Sequence, residues 1–101
     1  MKTWKNLLKD YLIYLKIERG LSENSIKSYS YDIKNLLNYI KKYNSKLSLK
    51  QCDNQFMQEF IYEISKNINS RSQSRLLSSL KSFFNYLVFE GYNNTSPMEL
   101  I

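Results

Sequence analysis

In the stretch SRSQSRLLSSLKSFFNYLVFEG, residues 70–91, the apolar residues Leu76, Leu77, Leu80, Phe83, Phe84, Leu87 and Val88 recur every three or four positions. That is the period of one helix face, and Gly91 stands where such a helix would close. The spacing predicts a helix from Arg71 to Glu90 with this stripe buried. The opposite side is unlike an ordinary solvated face: on a helical wheel Arg71, Ser74, Arg75, Ser78, Ser82, Asn85 and Phe89 point outward. Serine is a mediocre helix former, and a face that meets only water usually carries Glu, Lys and Gln.

Working outward, the same period predicts three more helices. The first runs from Trp4 to Glu18, with Thr3 as N-cap and Gly20 just past its end. Trp4, Leu7, Leu8, Tyr11, Tyr14 and Leu15 form its buried stripe, and Ile13 and Ile17 fall outside it. A second helix begins after the N-cap Ser22 and buries Ile26, Tyr29, Ile33, Leu36, Leu37 and Ile40. Its other face, Asn24, Lys27, Ser28, Tyr31, Asn35, Asn38 and Lys42, has no acid, and Asp32 lies on its flank. A third starts near the N-cap Asp53 and turns Phe56, Met57, Phe60, Ile61 and Ile64 inward. Pro97 breaks the last segment, so residues 1–92 are expected to form one all-α, four-helix domain and residues 93–101 the start of a linker.

Composition narrows the function. Two Gly and one Pro are too few for many short strands and tight turns. The single Cys52 cannot form an internal disulfide, and a chain without His lacks both the usual zinc ligands and an imidazole for acid–base chemistry, so no metal or cofactor is expected. The N-terminal segment has neither a signal peptide's apolar centre nor a membrane span, which fits a cytoplasmic protein. A net charge of +6 points to an anionic partner, nucleic acid first and a membrane surface second. The cations are also segregated. No acid occurs between Glu63 and Glu90, where Lys66, Arg71, Arg75 and Lys81 lie, or from Ile33 to Cys52, where five lysines lie. Short hydroxyls let a helix approach a sugar-phosphate backbone closely, while Arg reaches phosphate oxygens or a guanine edge. Close packing against a helix of a protein partner accounts for the serines equally well, so from these residues alone both remain open.

GLSENSIKSYSYDIKNLLNYI, residues 20–40, followed by SRSQSRLLSSLKSFFNYLVFEGYNNTSPM, residues 70–98, resembles the N-terminal core-binding domain of tyrosine recombinases, the phage-integrase and Xer group. Ser22, Glu23, Asn24, Ser25 and Tyr29 match the family's first motif. Arg75, Leu77, Ser78, Ser79, Leu80, Lys81, Phe83, Phe84, Tyr86 and Leu87 match the second. The resemblance implies a SAM-like, orthogonal four-helix bundle that clamps double-stranded DNA through its second and fourth helices. Carried over by position, the DNA-contacting set is Ser25, Lys27, Ser28, Arg71, Ser72, Arg75, Ser78 and Ser79, with Arg71 and Arg75 each open to reading a base or holding a phosphate. Two positions depart from the family pattern: Ser96 precedes Pro97 where Asn is usual, and Lys81 stands where Arg is commoner. The family's catalysis needs a tyrosine nucleophile with Arg and His partners, so no catalytic residue is assigned here; Tyr29 and Tyr39 read as structural. The resemblance further implies a larger parent that integrates or recombines DNA as a tetramer of protomers, with Ile13, Ile17 and Phe89 as candidate contacts. A helical protein-interaction adaptor and a stand-alone DNA-binding regulator are the alternatives.

Overall fold

A computed structural model describes residues 3–101. It contains α1 (Trp4–Ile17), α2 (Glu23–Asn44), α3 (Asn54–Ser65) and α4 (Ser70–Phe89), and no strand among the described residues. Each helix starts on a side chain that accepts an otherwise unpartnered N–H: Thr3 from Asn6, Ser22 from Ser25, Asp53 from Phe56 and Asn69 from Ser72. The first three caps are those read from the sequence; Asn69 places the start of α4 one residue before the expected Arg71. At the far ends, Gly20 and Gly91 take positive φ of 60° and 80°, which lets the chain turn back over the last carbonyls. The amide of Leu21 then bonds Leu15 O at 3.1 Å, and that of Tyr92 bonds Leu87 O at 2.9 Å.

A helix of 22 residues such as α2 is about 33 Å long, and the molecule measures 33 × 32 × 24 Å. At the centre, Tyr11, Leu15, Ile33, Leu36, Leu80 and Phe83 are fully buried, so the predicted stripes of α1, α2 and α4 do meet. Tyr11 packs edge-on against Phe83 with ring centroids 5.2 Å apart, and Tyr14 lies 4.8 Å from Tyr86. The Tyr11 hydroxyl and Ser82 share a hydrogen bond of 2.7 Å, so Ser82 faces α1 and not the outside, as the wheel had it.

The domain also extends past the expected boundary at residue 92. Met98 is buried in the core and Pro97 is buried beside it, its carbonyl accepting from Asn54 Nδ2 at 3.0 Å at the start of α3. α4 already closes at Gly91, six residues before the proline, and the segment that holds Pro97 folds back onto the helices. No helix among the described residues is long and apolar enough to cross a membrane.

Cys52 is buried against Met57, and burial pushes its thiol up to about 12, as burial also does for the Tyr11 phenol. Both groups therefore hold their protons more tightly folded than unfolded. Stability from this source is complete below about pH 9 and drains away as pH rises toward 12. The urea midpoint should be flat from pH 7 to about 8.5 and fall above it, and a thiol reagent at pH 8 should modify Cys52 only at the rate of unfolding. Rapid modification of the native chain would contradict this burial.

Candidate nucleic-acid interface

The two helices with hydroxyl-rich faces pack against each other, and one buried acid joins them. Asp32 on α2, only 2% exposed, accepts from Arg75 Nε at 3.0 Å, from Arg75 Nη2 at 2.9 Å and from the Ser79 hydroxyl at 2.6 Å. A carboxylate out of water is tolerable only with this kind of pairing. The bonds to Asp32 raise the Arg75 pKa further above its usual range, so the guanidinium is permanently charged. Its carbon lies 5.9 Å from the ring centre of Tyr31, which is itself well exposed. Asn35 of α2 shares a cleft with Ser72 of α4, one turn before Arg75.

The expected contact residues separate into three groups. Lys27, Arg71 and Ser78 are exposed. Ser25, Ser28 and Ser72 are half-buried, with the Ser25 hydroxyl accepting from Ser22 at 3.1 Å within the cap of α2 and the Ser72 amide donating to Asn69. Arg75 and Ser79 differ from the sequence expectation. Ser79 is fully buried and its hydroxyl is given to Asp32, so it does not lie on the outer surface; Arg75 keeps 39% of its side chain exposed but is tied inward by two hydrogen bonds. Arg71 and Arg75, equivalent on a wheel, are thus chemically different.

The role of Asp32 was missed in the sequence although a signal was present. Asp32 stands next to Ile33 and one turn before Leu36, both core positions, and an acid at that azimuth requires a cation from a neighbouring helix. Among the exposed cations on these helices, Lys81 stands in a cleft with Asn85 and with Met98 and Glu99 of the C-terminal segment. The others include Lys27 and Lys34 on α2 and Arg71 on α4. Serines and asparagines lie between them. Asp32 is sunk beneath the face and already bonded, while Glu23 stands exposed one turn before Lys27, and this surface can offer hydrogen bonds and positive charge to a polyanion.

A family model described as phage integrase, N-terminal SAM-like domain, matches residues 8–91, most of the chain. The chain belongs to this family. Among similar proteins of this kind are the tyrosine recombinase XerD of Listeria monocytogenes, 34% identical over 92% of this chain and 32% of its own length, and a tyrosine recombinase of Thermosipho africanus, 36% identical over 94% and 33%. The tyrosine recombinase XerC of Leptospira interrogans is 34% identical over 88% of this chain and 29% of its own length. The chain therefore spans about one third of the length of the curated relatives it matches. No solved structure gives a significant match. For a SAM-like integrase domain, the tie between its second and fourth helices decides which side chains the paired face can present.

Loss of one partner of a buried ion pair leaves the other uncompensated, at about 3–5 kcal/mol, whereas loss of one hydrogen bond to a charged group costs about 1.5–3 kcal/mol. Arg75→Ala should therefore destabilise the domain more than Ser79→Ala, with urea m-values unchanged. Equal, small effects would mean that Asp32 is not buried in charged form.

Proposed function

We propose that this chain is the DNA-binding N-terminal domain of a site-specific tyrosine recombinase, gripping one face of duplex DNA through α2 and α4 during recombination or integration. The observation that carries the reading is the coincidence of two independent facts. The chain belongs to the integrase SAM-like family, and its paired α2 and α4 carry exposed Lys27, Lys34 and Arg71 among short polar side chains. In this reading strand cutting and rejoining belong to the remaining two thirds of such a recombinase and this domain positions DNA; the relatives' greater length supports it. Its partners in that setting are double-stranded DNA and other recombinase protomers.

Of the expected contact set, Lys27, Ser28, Arg71, Ser72, Arg75 and Ser78 fit this role with their side chains wholly or partly accessible. Ser25 contributes by shaping the start of α2. Ser79 acts only through Asp32.

Each cation that neutralises one phosphate adds about 0.9 to the slope of log affinity against log salt. Lys27→Ala and Arg71→Ala should each flatten that slope by about this amount for any duplex sequence, measured by anisotropy titration from low salt. An adaptor that docks a protein on this face would show no salt-dependent duplex affinity, and that outcome would overturn the proposal.

A further inference from the structure

α2, the turn joining α3 to α4 and the first turns of α4 enclose a cleft of about 310 Å³. Its apolar floor is the buried Leu76 with the half-buried Ile64 and Ile68. Around this floor stand side chains that can donate hydrogen bonds: Tyr31, Asn35, Asn67, Ser72 and Arg75. The one acid in the lining is Asp32, and both of its oxygens already accept from Arg75, Oδ2 from Ser79 as well. A site rich in donors whose only carboxylate is consumed suits an anion.

The state of Arg75 determines what kind of anion contact this is. A guanidinium has five N–H donors, and two of them are held by Asp32, through Nε and Nη2. The Nη1 group and the second Nη2 hydrogen lie on the side away from Asp32. An arginine that reads guanine must extend into the groove with its fork at the tip of a long, mobile side chain. Arg75 is instead drawn back to a carboxylate that is 2% exposed, so its remaining donors meet a group that comes to the protein surface. On a duplex that group is a backbone phosphate.

We propose that this cleft seats one phosphodiester group, with Arg75 as its cation and Ser72, Asn35, Asn67 and Tyr31 as neutral donors. Asp32 is a positioning residue that makes Arg75 a phosphate clamp and not a base reader. The proposal rests on the DNA reading above and sharpens it, since the accessible residues of this seat other than Ser72 and Arg75 lie outside the contact set expected from the sequence. The Asp32–Arg75 pair carries no net charge, so the seat works by short-range hydrogen bonding, while Lys27 and Arg71 supply the long-range attraction.

The test uses the 101-residue chain with a duplex at low salt and, in parallel, with inorganic phosphate, following the Asn35 and Asn67 side-chain amides and the Arg75 Nε–H by NMR. The duplex is expected to shift all three signals at protein-scale concentrations, with inorganic phosphate needing far more. Asn35→Ala and Ser72→Ala should each weaken duplex binding about three- to tenfold, the worth of one hydrogen bond, with an unchanged salt slope and equally for all sequences. Asp32→Asn, which releases the guanidinium as a full extra charge, should steepen the slope by about 0.9 and remove the exchange protection of the Arg75 Nε–H. Shifts at Lys27 and Ser78 with a silent cleft would overturn the phosphate seat and leave the DNA reading standing. A cleft that responds to phosphate and ignores duplex would make it a site for a free anion, again overturning the proposal, and no response anywhere would remove both readings.

Discussion

The arrangement of α2 and α4 depends on one carboxylate that water cannot reach. An ionised acid in the interior is costly unless its oxygens are filled, and Asp32 fills them from the other helix alone, with Arg75 and Ser79. Such a pair contributes little net stability over apolar residues of the same volume, but it is intolerant of misalignment. Rotating either helix by one position would strand a charge. The three bonds therefore set the azimuth of both helices about their own axes, something that leucines and phenylalanines, which accept many packings, specify less sharply.

From that constraint follows the division of labour on the polar face. The inner rank, Asp32, Ser79 and the near edge of Arg75, is spent on holding the helices; the outer rank, Lys27, Arg71 and Ser78, remains open to solvent. The small size of serine matters twice. At Ser79 it lets α4 come close enough to reach a buried acid, and at Ser78 it leaves the outer surface low enough for a bulky partner to approach. The serines of α4 are thus divided between an internal and an external task, with Ser82 given to a third partner, Tyr11 on α1.

The integrase SAM-like family matched over residues 8–91 joins this geometry to proteins three times as long. A small, positively charged helical unit with an interior ion pair suits the clamping role proposed above. Its cations stand on helices whose mutual rotation is fixed, so in the proposed role they would lose little freedom on binding.

The sequence by itself determined the helix count, three of the four N-caps, both glycine ends and nearly all of the core stripe. These are local matters: a cap is settled within three residues, and a stripe by the period of a single helix. It also marked the second and fourth helices as those with cations and hydroxyls outward. Only the tertiary structure decided that Arg75 and Ser79 serve Asp32, that Ser82 serves Tyr11, and that Met98 returns to the core. Each of those facts is a meeting of side chains far apart in the chain, 43 positions in the case of Arg75 and Asp32. A helical wheel gives a residue's direction about its own axis but not the rotation of the neighbouring helix, and it is that relative rotation that turns an outward arginine into the partner of a buried acid.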